Sequence, residues 1–141
     1  MNADELANRV AHEMLAGEGT GPAWGITIEE AREDYARLSM VVRADMLNSH
    51  GIAHGGMIFA LADTAFAYVC NGANHASVAA QASIVFLDKV VEGETLIAEG
   101  EQVAREGRAG VTRVAVRTSD GRAVAEFTGY SRTIGGAVVD V

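Results

Sequence analysis

The run from Asn48 to Asp63, Asn-Ser-His-Gly-Ile-Ala-His-Gly-Gly-Met-Ile-Phe-Ala-Leu-Ala-Asp, concentrates the residues able to do chemistry. His54, Gly55 and Gly56 stand at the expected start of a helix. Glycines there permit backbone angles closed to other residues and leave the first amides unobstructed. Those N–H groups, backed by the positive end of the helix, suit a carbonyl oxygen that is gaining negative charge. A glycine-rich loop that merely caps a helix explains Gly-Gly alone equally well. Asp63 separates the two readings, because it is the only charged residue between Gly56 and Cys70. A carboxylate in an apolar helix is costly to bury unless it is paired or functional, and burial makes it a stronger base. The bland alternative is an aspartate that caps a neighbouring strand or holds an arginine; His54-Gly55 upstream decides for chemistry.

Geometry adds a constraint. Gly55 and Asp63 are eight residues apart, which along one helix is roughly 12 Å. A base must come within about 3 Å of its target. One helix therefore cannot bring its own Gly55 amide and Asp63 carboxylate to the same carbonyl carbon. Two antiparallel helices side by side can, each offering its start to the other's Asp63. The expectation is two sites shared across a two-fold dimer, with Ala60, Ala62, Ala65 and Ala67 allowing close approach.

The elements that must hold these residues are legible from periodicity. Leu6, Val10, Met14 and Leu15 recur at helical spacing, and Gly17, Gly19, Gly21 and Pro22 stop that helix. Alternation predicts strands over Trp24–Glu29 and Tyr35–Arg43, followed by a polar loop from Ala44 to Gly56. Met57 to Cys70 is apolar nearly all round and reads as a helix buried on several faces, ended by Asn71, Gly72 and Asn74. Four further strands are expected at His75–Leu87, Thr95–Arg105, Val111–Thr118 and Ala123–Thr133, punctuated by Gly93, Gly107 and Asp120-Gly121. Val138 to Val141 reads as a loose tail. The order predicts an α+β domain over residues 1–141, an antiparallel sheet wrapped around one long helix that cannot face water.

Composition closes several alternatives. A net charge of −8 and a pI near 4.9 argue against a nucleic-acid partner. The lone Cys70 rules out an intrachain disulfide and reads as a core residue. The most apolar stretch, Met57–Val69, is shorter than the roughly 20 residues that span a bilayer, and the polar start has no signal-peptide core. A soluble, cytoplasmic protein is expected, with no membrane partner. His50 and His54 stand four apart, but the glycines around them break a helix and no further ligand lies near, so no metal is expected. His12 and His75 read as structural.

The run Leu47-Asn48-x-His50-x-x-x-His54-Gly55-Gly56-x-x-Phe59-x-Leu61-Ala62-Asp63-Thr64-Ala65-Phe66-Ala67 closely resembles the PaaI-type thioesterases of phenylacetate degradation. The likeness continues through Phe86-Leu87, Gly93–Leu96, Ala123–Gly129 and Arg132–Gly136. The resemblance implies a hot-dog fold, a homodimer assembled into a homotetramer, and hydrolysis of acyl-CoA thioesters, with CoA present as part of the substrate and no separate cofactor. It implies that Asp63 is base or nucleophile, that Gly55 supplies the polarising amide, that His54 and Asn48 position thioester or water, and that Ser83 carries a hydroxyl for water or substrate. Arg105 and Arg108 flank Gly107 at a hairpin turn. Arginine pairs well with phosphate oxygens, so they are candidates for the CoA phosphates; a solvated turn is the alternative. Phenylacetyl-CoA or a hydroxylated relative is the expected substrate, and medium-chain acyl-CoAs are the second. A hot-dog dehydratase would need an Asp-x-Asn-Pro-x-His pattern, and the only proline is Pro22. A non-catalytic CoA-binding module is the remaining class, opposed by the intact Asp63 and His54-Gly55.

Overall fold

Alternating apolar residues build one six-stranded antiparallel sheet, and the apolar helix lies against it. The computed structural model describes residues 1–141. Its elements are α1 (Ala3–Gly17), α2 (Thr20–Trp24), β1 (Thr27–Arg32), β2 (Tyr35–Val41), a 3₁₀ turn (Ala44–Met46), α3 (Gly55–Asn71), β3 (Ser77–Phe86), β4 (Thr95–Glu106), β5 (Ala109–Thr118) and β6 (Ala123–Thr133). The strand order is β1-β2-β4-β5-β6-β3. Helix α3 touches β2, β3, β4, β5 and β6, so the sheet must curl about it, as the hot-dog resemblance implies.

The inner face of the sheet is Leu38 and Met40 of β2, Leu96 and Ala98 of β4, Val114 and Val116 of β5, and Phe127 of β6, all buried. Phe59 and Phe66 of α3 meet Phe127 with ring centroids 5.3 and 5.8 Å apart. Close approach demands a glycine on β6: a Cβ at Gly129 would stand 2.7 Å from the Phe66 ring. Helix α1 starts on a capping box, with Asn2 and Glu5 bonding each other's backbone amides. It buries Ala7, Val10 and Ala11 and packs on β1 and α3.

Several expectations shift. Trp24 is not in a strand; it ends the one-turn helix α2, which closes at Gly25 with φ of 69°. Pro22 lies in the first turn of α2, where its missing N–H costs no intrahelical bond. Helix α3 begins two residues before Met57, at Gly55, and runs through Asn71. The tail is not loose: the Asn74 carboxamide oxygen accepts the N–H groups of Val138 and Val139, both at 2.9 Å, its NH₂ donates to the Val139 carbonyl, and Val139 is buried.

Strand β3 forms one edge of the sheet. Its ten residues carry no charge and no proline, and Val78 and Val85 are 47% and 60% exposed. Edge strands usually carry charges or prolines that discourage further pairing; β3 has neither.

Candidate active site

The start of α3 is built by its loop. Ala53 N–H donates to the Val90 carbonyl and His54 N–H to the Met46 carbonyl, each at 2.8 Å. His54, with φ −63° and ψ 133°, is the N-cap, and its Nδ1 accepts the Gly56 N–H at 2.8 Å. A neutral ring so engaged carries its proton on Nε2. The Met57 and Ile58 amides donate to the His54 carbonyl at 2.9 and 3.4 Å. Of the first four amides of α3, three therefore have acceptors inside the chain. The Gly55 N–H alone has none. The imidazole cap thus leaves one amide free at the positive end of a seventeen-residue helix.

That amide opens on a groove of about 380 Å³, lined among others by Asn48, Ile52, Ile58, Phe86, Leu87 and Lys89. Asn48 uses its side-chain oxygen to accept from His50 and Ile52 N–H at 2.9 and 3.4 Å, which fixes the loop. Its NH₂ donates to no group of the chain and stays available at the groove.

Asp63 lies two turns further on, half-buried, with no hydrogen bond and no ion pair. Burial alone raises its pKa above the ordinary aspartate value. Gly56, Ala60, Asp63 and Ala67 follow helical spacing and form a face of α3 that its own sheet leaves partly open. Thr64 on the same side folds its hydroxyl onto the Ala60 carbonyl at 2.7 Å.

The structure thus brings Asn48, His54 and Gly55 together at one end of α3 and keeps Asp63 apart from them. Arg105 and Arg108 do lie at the β4–β5 hairpin around Gly107, exposed. Arg105 donates to Gln102 at 3.2 Å. Burial pushes the Cys70 thiol up to about 11, and Arg105 draws it the other way, which places Arg105 toward the far end of α3. Ser83 faces away from α3. Ile84 pairs with buried Phe127 and Ala82 with Gly129, both of which face α3, so Ser83, opposite Thr128, lies on the outer face of the sheet. The groove residues Ile52, Ile58, Phe86, Leu87 and Lys89 were given no role by the sequence reading; the apolar Phe86-Leu87 pair followed by the chain's only lysine was the available signal. No cluster of three His, Cys, Asp or Glu side chains forms a metal site. No helix is long and apolar enough to cross a membrane.

The state of Asp63 predicts a measurable stability effect. Its folded pKa is raised, so its stabilising contribution is complete below the unfolded pKa and is lost as pH rises through the folded value. At neutral pH Asp63 therefore carries a desolvation cost that asparagine lacks. Asp63→Asn is expected to melt at a higher temperature than wild type at pH 7, with the gap closing as pH falls into the carboxylate range. A variant that melts at or below wild type at pH 7 contradicts this.

Comparisons with known proteins identify the family. A family model described as the thioesterase superfamily matches residues 50–125. The chain is 41% identical over 129 residues to the acyl-coenzyme A thioesterase PaaI of Escherichia coli (strain K12), covering 91% of each chain. The solved structure of the E. coli PaaI protein from the phenylacetic acid degradation operon superposes with a TM-score of 0.94 at 38% identity, over 96% of this chain and 99% of that one. A hypothetical thioesterase protein from Streptococcus pneumoniae TIGR4, solved with coenzyme A, matches with a TM-score of 0.77 at 28% identity, over 79% of this chain and 90% of that one.

Proposed function

Because this chain belongs to the thioesterase superfamily and is an acyl-CoA thioesterase, we propose that it hydrolyses aryl-acetyl-CoA thioesters, phenylacetyl-CoA or a hydroxylated relative, in a site shared between two subunits. One observation carries the reading: a free Gly55 amide and an unpartnered Asp63 carboxylate occupy one helix, roughly 12 Å apart. Each is half of a hydrolytic site and neither finds its complement in its own chain. A second copy, its α3 antiparallel to the first, supplies both complements at once. The open small-residue face around Asp63 and the uncharged edge of β3 support that pairing. Two such dimers then form the homotetramer.

In this mechanism the thioester oxygen accepts the Gly55 N–H, which stabilises the negative charge of the tetrahedral adduct. Asp63 of the second copy either removes a proton from a water that attacks the carbonyl, or itself attacks the carbonyl to give a mixed anhydride that water then hydrolyses; on either route the C–S bond breaks and the CoA thiolate leaves. Turnover in ¹⁸O-water tests the second: label in the Asp63 carboxylate identifies an anhydride opened by water at the Asp63 carbonyl, whereas general-base hydrolysis puts label only in the released acid. Asn48 and His54 position the thioester or the water. Arg105 and Arg108, exposed at the β4–β5 hairpin, meet the CoA phosphates of a substrate bound at the other copy's Gly55.

The test is free-thiol release from a panel of aryl-acetyl and aliphatic acyl-CoAs. The aryl-acetyl members are expected to show the highest kcat/KM. Equal or better turnover of aliphatic members removes the substrate assignment and leaves the thioesterase.

A further inference from the structure

We infer that Phe86 is the wall of the acyl seat and sets its preference for flat, aromatic acyl groups. The inference rests on the reading that the thioester carbonyl sits at the Gly55 amide. Three observations carry it.

The ring is aimed at Gly55. A Cβ built on Gly55 would stand 3.0 Å from Phe86 Cζ and 3.4 and 3.5 Å from its Cε atoms. The tip of the ring thus fills the space that a side chain at position 55 would take, beside the free N–H. The ring therefore borders the space around the residue that offers that N–H.

The ring is also held and yet open. Phe86 is the last residue of β3 and pairs with Ala125 on β6, and the next amide, Leu87 N–H, donates to the Val124 carbonyl at 2.8 Å. Its backbone is therefore fixed on both sides. Even so the residue is 51% exposed, because it borders the groove rather than the core.

Finally, the surroundings suit hydrocarbon better than the CoA arm. Ile52, Ile58 and Leu87 line the groove beside Phe86. The pantetheine arm carries two amides and a hydroxyl, which an apolar wall would leave unpaired. An aryl ring loses nothing there, and it gains ring-on-ring geometry that an alkyl chain of like size cannot make.

The experiment compares phenylacetyl-CoA with hexanoyl-CoA in wild type, Phe86→Leu and Phe86→Met. Both substitutions keep an apolar wall and remove only the ring. The ratio of kcat/KM for phenylacetyl-CoA over hexanoyl-CoA is expected to fall roughly 2- to 12-fold, the range of one aromatic pair. The change should lie in KM, and be larger for the aryl substrate than for hexanoyl-CoA. An unchanged ratio overturns the assignment in either of its forms. Equal losses on both substrates place the ring against the common CoA arm or the packing of α3, and no loss on either removes it from the site. Failure of the underlying reading looks different: Gly55→Pro, which deletes that N–H, would then cleave both substrates as fast as Gly55→Ala.

Discussion

Replacing Asp63 with asparagine lowers kcat for thioester cleavage by about 10²–10⁴-fold and leaves KM near wild type. The expected split follows from the position of the carboxylate. Asp63 makes no hydrogen bond or ion pair that would be lost with its charge, so the fold should not suffer, and asparagine keeps its shape at the site. What disappears is the ability to take a proton or to attack carbon. Asp63→Ala should be equally inactive and bind substrate less well. The same carboxylate sets the acid limb of the wild-type profile. Burial raises its pKa, so kcat should decline as pH falls while still above the range where an ordinary aspartate, at about 3.9, protonates. Substantial turnover by Asp63→Ala would end the catalytic assignment.

The helix that carries this residue was readable because its composition is extreme. One carboxylate in a run of alanine, leucine, methionine and phenylalanine leaves few interpretations, and the glycines fixed where the run begins. The strands were readable because β5 throughout, the first half of β4 and most of β6 alternate between a buried and a wetter face. Ser83 shows where alternation fails. The register of β3 against β6 shifts between Ala79 and Gln81. Before the bulge Ala79 stands opposite buried Ser131; after it Ala82 stands opposite Gly129. One extra residue therefore exchanges odd for even positions on the helix side, and nothing in the local sequence marks it. Phe86 was hidden for another reason. It is 31 residues from Gly55, and the two meet because Ala53 bonds Val90 and β3 ends beside the start of α3. Such contacts belong to topology. The short helix α2 was missed because glycine and proline were read only as a stop, although proline is at home in a first helical turn.

Gly55→Pro tests the other half of the site with little else disturbed. Proline is favoured at the first position of a helix, and it demands an extended residue before it. His54 already has φ −63° and ψ 133°. The substitution therefore deletes the one amide hydrogen of α3 that no group in the chain accepts, while the helix start keeps its conformation. It also adds a Cβ 3.0 Å from the Phe86 ring tip; Gly55→Ala adds the same atom and keeps the N–H. The difference in kcat between the two variants isolates the hydrogen bond and is expected to be about 10²–10³-fold, as for other oxyanion donors. Combining this variant with Asp63→Asn then decides where the two halves meet. In a mixed dimer the Asp63→Asn chain still offers its Gly55 amide, and the Gly55→Pro chain still offers its Asp63. A site shared across the two-fold axis is rebuilt once per mixed dimer, while the other site lacks both groups. Random reassembly makes half the dimers mixed, so two inactive proteins should together recover about one quarter of wild-type activity. If each chain used its own Asp63, every site would still lack one group and the mixture would stay inactive.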